Sequence, residues 1–497
     1  MSKIIFFKGV SYSYIRQLVA LITNIISLPL LLNYFGSVNY GVWVLILGLT
    51  GYINTISFGI PSAMTTLVAN TTNLSEKYQI LKKSFFLLSL FSSFFIFIFI
   101  IAINHNDSWI ISLLGNIDEE YVYSAKFIFT FFVVFTLLKL PFDLFIQFFT
   151  GMNAVYNSEI YAIIKALTIF MVVLLTVYFD LDLLIFVMFW LVGDLFVSLF
   201  SIFHVFIKYS YLKREAEAEK SLTKKDILKS GFAFFQVGLA ASIVWSTDNL
   251  VISHFLSPDF VTTYSIAFKI FTYIFMFSAI LNGVVAPMYG NAYANKDFEK
   301  IRKLTNLVYK ILPLVGACVW VFLILFSKEI ITLWTGNDEA FGGYLLFFSL
   351  GLYGYVLSYV NTYATLLYSL NFANKIYSVA WLEALLNLVL SIILIKFMGI
   401  GGVALGTAIS ALMISFVLPR FIGKLTGNEV IYDHSYATKQ LFILVVPAVT
   451  ISLLTMNLFL IYKVFIFLII FPIMVFSSWM LLNKGDKFMF FSFLKVK

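Results

Sequence analysis

Ten ionisable side chains stand inside otherwise apolar stretches of this 497-residue chain: Arg16, Lys139, Asp143, Glu159, Lys165, Asp194, Asp248, Lys269, Lys310 and Glu383. An ionised group at the centre of a bilayer costs about 2.5–3.5 kcal/mol on insertion scales, so each needs a partner, a wet cavity or an escape to the interface. Lys139 and Asp143 flank Pro141 at a spacing of four, which puts both on one helix face. They form either a self-neutralising pair beside a kink or a substrate- or proton-responsive pair at a hinge. Arg16, two turns into the first apolar run, carries the planar fork that fits phosphate oxygens. Its alternatives are snorkelling or pairing with Asp143. Asp194 falls near the middle of the sixth run and suits a proton-coupled acid or a helix–helix hydrogen bond. Lys165 and Glu383 occupy matching places in the two halves of the chain and are candidates for a gating ion pair; pairing within each half is the alternative. Asp248 and Lys269 lie on adjacent runs, as a structural pair or as a proton-linked acid and a phosphate contact. Glu159 and Lys310, near run starts, read as interfacial.

Other chemistry is missing from the sequence. No G-x-x-x-x-G-K-[ST] loop and no G-x-S-x-G elbow occurs. The four histidines, His105, His204, His254 and His434, show no metal-ligand spacing, and neither a metal nor a cofactor is expected. Asp180 and Asp182 resemble a glycosyltransferase acid pair but sit in a very short outer loop, where a solvated turn explains them.

The elements that must hold these charges are membrane helices. Hydrophobic residues make up 61% of the chain and charged ones only 12%, about half the charged share of a soluble protein. The mean hydropathy is +0.97. So few charges cannot cover a water-soluble core of this size, and lipid must be the main solvent. The net charge of +8 is therefore read as loop asymmetry, with no nucleic-acid partner. The lone cysteine, Cys318, builds no disulfide framework.

Runs of about 20 apolar residues begin near Val10, Gly41, Ser84, Tyr123, Asn157 and Leu183, near Gly231, Thr262, Leu307, Phe341, Asn374 and Ile400, and near Lys439 and Lys463. The fold class is thus all-α and membrane-integral, with about fourteen transmembrane helices. Lysines and arginines gather at the N-terminus (Lys3, Lys8), after helix 2 (Lys77, Lys82, Lys83), between Lys208 and Lys229, between Lys296 and Lys303, and in the tail to Lys497. The loop after helix 3 carries Asp107, Asp118, Glu119 and Glu120 instead. This places both termini in the cytoplasm and leaves the first helix uncleaved.

A weak repeat relates the halves. The stretch from Leu32 to Tyr40 matches that from Ile252 to Phe260, Ala69-Asn70 matches Ala294-Asn295, and Gly151 to Asn153 matches Ser369 to Asn371, at offsets of 218 to 225 residues. Six helices per half make a parallel repeat about an axis along the membrane normal. The expected layout is an N-terminal lobe at 1–207, a linker at 208–230, a C-terminal lobe at 231–425, and two further helices with the tail at 426–497. Two lobes facing a central cavity suit alternating access. Small residues from Gly399 to Ala408 permit close packing of helix 12.

Several stretches resemble the Wzx-type flippases of lipid-linked oligosaccharides, the polysaccharide-transporter branch of a superfamily that includes drug antiporters. They are LLLNYFGSVNYGVW from Leu30 to Trp43, FGIPSAM from Phe58 to Met64, STDNLVISHFLSPD from Ser246 to Asp259, YSIAFKI from Tyr264 to Ile270 and IITLWTG from Ile330 to Gly336. The family often has an acid just before the Phe-Gly step, where this chain has Ser57. The resemblance implies a bacterial inner-membrane flippase, not an enzyme. Its implied substrate is an undecaprenyl-diphosphate-linked repeat unit, carried from the cytoplasmic to the periplasmic leaflet. Its implied surroundings are membrane lipids, with a polysaccharide polymerase and a chain-length regulator as candidate partners. On that reading Arg16, Lys139, Lys165 and Lys269 supply a basic cavity for the diphosphate, and Asp143, Asp194, Asp248 and Glu383 serve coupling or gating. The rivals within the same superfamily are a drug or cation antiporter, which would want carboxylates with aromatics, and a peptidoglycan-precursor flippase. The rival from another class, a polysaccharide polymerase, would want a large outer loop.

Overall fold

The computed structural model describes all residues except 1–2, 107–108, 111–113, 115–118, 210–222, 371, 427–438, 483–484, 486 and 488–497. The acids Asp107 and Asp118, most of the expected linker and the tail lysines Lys484, Lys495 and Lys497 lie outside the described residues. The described residues form helices and connecting turns, with no strand among them.

The first helical run, Lys3–Gly48, changes direction at Gly36, whose backbone is non-helical (φ 76°, ψ 172°). It supplies α1 (3–35) and the first part of α2 (37–48). Helix α2 continues through Thr50–Thr55 and, after a break, Ile60–Asn70. There follow α3 (Leu74–His105), α4 (Glu119–Gly151), α5 (Val155–Tyr178), α6 (Leu183–Lys208), α7 (Lys224–Phe255), α8 (Pro258–Ala294), α9 (Phe298–Thr335) and α10 (Tyr344–Ser369). The run Ala373–Leu425 turns at Gly399 (φ 56°, ψ −144°) and supplies α11 (373–398) and α12 (400–425). A π-turn, Leu441–Val445, leads into Val446–Thr455 as α13, and α14 is Leu460–Leu481. Ten helical runs among the described residues are long and apolar enough to cross a membrane. Dividing two of them at their glycines and adding α8 and α13 gives fourteen segments, as the hydropathy predicts.

The chain divides into two compact units, residues 1–261 and 262–497. In the first, α1 packs along α5, α4 lies against α3 and α6, and α7 packs on both parts of α2. Helix α6 shows how sequence sets orientation. Val187, Leu191, Asp194, Ser198, Ser201 and Val205 recur at three- and four-residue spacing and are buried, while Phe189, Phe196, Phe200, Phe203 and Ile207 are exposed. A phenylalanine surface has no donor to satisfy and suits lipid, so the three polar residues Asp194, Ser198 and Ser201 turn inward.

The second unit is built around α9, which packs on α10, α13 and α14. The two C-terminal helices are pinned to it by polar contacts. Lys463 of α14, only 2% exposed, donates to Glu329 Oε1 at 2.6 Å. The buried Gln440 amide donates to the Lys310 carbonyl and to Ser478 Oγ, both at 3.3 Å. Lys310 itself, expected at the interface, is buried at 8% exposure and engaged with its surroundings. The first turns of α9 are already core, with Ile301, Leu304, Thr305 and Val308 all buried. The small-residue run of α12 fits close packing: a Cβ on Gly406 would stand 2.9 Å from the Ser391 backbone nitrogen of α11.

Candidate functional site

Four of the predicted charges meet in one network in the first unit. Lys139 of α4 bonds Asp194 of α6 and lies 3.3 Å from Asp143 Oδ2, one turn along its own helix. Lys165 of α5 bonds Asp143 Oδ1 at 2.7 Å and Asp194 Oδ1 at 2.8 Å. Ser198 Oγ, one turn after Asp194, donates to Asp143 Oδ1 at 2.6 Å. Each lysine thus touches both carboxylates, and the formal charge of the quartet is zero. In a low dielectric such mutual pairing offsets the desolvation of all four ions. The Lys139–Asp143 pair exists and is joined by groups from two further helices. Pro141 sits between them inside a continuous α4.

The network borders a cavity of about 470 Å³ in the first unit, onto which Asp143 and Lys165 open. The other polar groups on its wall are Asn54, Thr55, Ser57 and Ser62 from α2 and its break, Gln147 from α4 and Ser242 from α7, with Phe234 and Phe235 beside them. The break in α2 is local and explicable. Phe58 and Gly59 both take left-handed backbone angles (φ 49° and 66°), and Pro61 fits the first turn of the renewed helix, where no amide partner is needed. A Cβ on Gly59 would approach the Gly231 carbonyl of α7 to 2.2 Å, so only glycine admits this crossing. Ser57, at the position where the resembled family often has an acid, is buried on the cavity wall.

The remaining predicted residues lie elsewhere. Arg16 is committed to Glu159 of α5, Nε to Oε2 at 2.5 Å, and Ser13 Oγ donates to the same carboxylate at 2.8 Å. Arg16 therefore has a partner that sequence reasoning assigned to the interface, and not Asp143. Lys165 is engaged by Asp143 and Asp194, the pairing within one half that stood as the alternative to a gate with Glu383. Glu383, half-buried on α11, has no hydrogen bond or ion pair among the described residues. Asp248 is buried at 3% exposure on α7, Lys269 is half-buried on α8, and both are engaged with neighbours. The pair falls across the division between the two units. No group of histidine, cysteine and acid side chains able to hold a metal occurs among the described residues. Sequence reasoning missed Asn54, Gln147 and Ser242 on the cavity wall, because uncharged polar residues carry no burial penalty large enough to stand out.

The polysaccharide biosynthesis protein family matches residues 6–293, and the MatE family matches residues 237–393. A protein of Salmonella typhimurium strain LT2, "Putative O-antigen transporter", is 24% identical over 83% of this chain and 93% of its own length. Among solved structures, the lipid II flippase MurJ in an inward closed conformation superposes with a TM-score of 0.70 at 16% identity, covering 94% of this chain and 97% of MurJ. An inward-facing multidrug-resistance MATE family transporter of the MOP superfamily gives 0.68 at 15% identity, over 82% of this chain and 94% of its own. These relatives are transporters and flippases, not enzymes. With the family matching more than half of its length and the fold shared almost end to end, the chain belongs to the polysaccharide biosynthesis protein family, as a multi-pass membrane protein with the MOP-superfamily transporter fold.

Proposed function

We propose that this protein flips an undecaprenyl-diphosphate-linked oligosaccharide repeat unit across the bacterial inner membrane, from the cytoplasmic to the periplasmic leaflet, by alternating access. The observation that carries the reading is a cavity with polar groups on its wall inside an apolar helical unit, edged by Asp143 and Lys165 of a quartet in which, among the described residues, two lysines are shared between two carboxylates. A diphosphate entering that space competes with Asp143 and Asp194 for Lys139 and Lys165. The displaced carboxylates then stand uncompensated in a poor solvent and need a replacement cation, which supplies a link to an ion gradient. Family membership and the O-antigen relative support a saccharide lipid over a drug cation, whose capture would ask for carboxylates left free. Loop charge supports cytoplasmic termini.

The reading is tested by depleting the protein and locating the lipid-linked repeat units by leaflet-selective labelling. Accumulation in the cytoplasmic leaflet is the expected outcome. Unpolymerised units reaching the outer leaflet at a normal rate would rule the flippase out.

A further inference from the structure

Among the described residues, four polar side chains on the cavity wall have no partner. Asn54, Ser57 and Ser62 of α2 and Gln147 of α4 line the cavity, and their side chains make no hydrogen bond among the described residues. Their neighbours behave otherwise: Thr55 donates its hydroxyl to the Tyr52 carbonyl at 2.6 Å, and Ser242 donates to the Gly51 carbonyl at 3.0 Å. Ser57 is only 7% exposed, so its free hydroxyl faces the cavity from within the protein.

The break in α2 presents these groups. Its bonds shorten to a three-residue reach, with the Ser57 amide on the Asn54 carbonyl at 3.2 Å and the Phe58 amide on the Thr55 carbonyl at 2.9 Å. Across the cavity, Gln147 follows Asp143 by one helical turn. Phe234 and Phe235 border the same space, and Phe235 is fixed by stacking on Phe58 at 5.0 Å.

Of the four, only Ser57 is buried and so carries a desolvation cost for an unpartnered hydroxyl; Asn54, Ser62 and Gln147 are exposed along the wall, open to water or to a ligand. The two amides each offer paired donor and acceptor atoms, and the two hydroxyls do both jobs. That set matches neighbouring hydroxyls on a ring. An aromatic face carries partial negative charge and accepts the C–H side of the same ring. The set matches a diphosphate less well, since that group wants the cations of the quartet. The cavity volume also lies within the roughly 300–1,000 Å³ of small-molecule sites.

We infer that Asn54, Ser57, Ser62 and Gln147, with the Phe234 ring, form a subsite for an uncharged glycosyl unit, distinct from the lysine–carboxylate quartet that receives the anionic group. The inference rests on the proposed passage of a saccharide lipid through this cavity.

The test uses the full chain in lipid nanodiscs with two probes, bare undecaprenyl diphosphate and the lipid-linked repeat unit extracted from the host strain. The N54A/Q147A double variant is expected to bind the glycosylated lipid about tenfold more weakly, the loss of one to two net hydrogen bonds, and the bare lipid unchanged. Equal loss for both probes places the phosphate at this wall and overturns the subsite, as does no loss for either. Should the double variant fail to fold, S57A removes only one buried hydroxyl and must show the same selectivity at about threefold. Wild-type protein that binds the two probes alike sinks the subsite and leaves the flippase standing. Binding of neither probe sinks both.

Discussion

The two units treat buried lysines in opposite ways. In the second, Lys463 is sealed at 2% exposure against one carboxylate, Glu329, and fastens α14 to α9. In the first, Lys139 and Lys165 keep 14% and 19% of their side chains exposed and divide themselves between two carboxylates beside a cavity. The buried Lys463 ammonium is out of an incoming anion's reach, although Glu329 is 24% exposed, whereas the quartet stands where an anion can compete. Ion pairing inside a bilayer protein is therefore no guide to role by itself; access to a polar space separates a fastening from a switch.

Breaking that contrast begins with the sealed pair. K463M strands Glu329 and is expected to destabilise the folded protein by about 3–5 kcal/mol, read as a lower unfolding temperature in detergent. K463M/E329M should recover most of the loss; a single substitution without effect would show that the contact is not a fastening. Next comes the quartet. D194N leaves two lysines on one carboxylate, and the loss of charge-assisted bonds costs about 1–3 kcal/mol of stability. Its flipping rate should fall by more than that stability loss explains. The swap K139D/D194K is expected to regain part of the rate, and a swap no better than either single change would remove the network from the mechanism. The smallest effect belongs to R16Q. Arg16 is 39% exposed, and an ion pair so placed contributes about 0–1 kcal/mol. A flipping defect as large as that of D194N would move Arg16 into the transport pathway.

Legibility followed distance along the chain. The Lys139–Asp143 contact was readable because four residues of helix fix it, and the helices themselves were readable from their apolar length. The partners that complete the quartet come from α5 and α6, and the Arg16–Glu159 bond spans 143 residues; no local pattern encodes such meetings. Burial of Lys310 was hidden for a related reason, since α9 is the hub of its unit and its sequence does not say so. The break in α2 did leave a trace. Phe58-Gly59-Ile60-Pro61 carries the glycine and early proline of a helix restart, and reading it that way would have pointed to the cavity wall.

Gly36 and Gly399 each turn the chain between two helices with no loop of their own, in a backbone region that is essentially glycine's alone. Between the rods they join there is no spare length of polypeptide. Rods hinged on a single residue can splay but cannot slide past each other, so lengthwise travel during a transport cycle has to be accommodated at junctions with chain to give. Three residues inserted beside Gly399 would lend it that slack and uncouple α11 from α12, without touching any charged group.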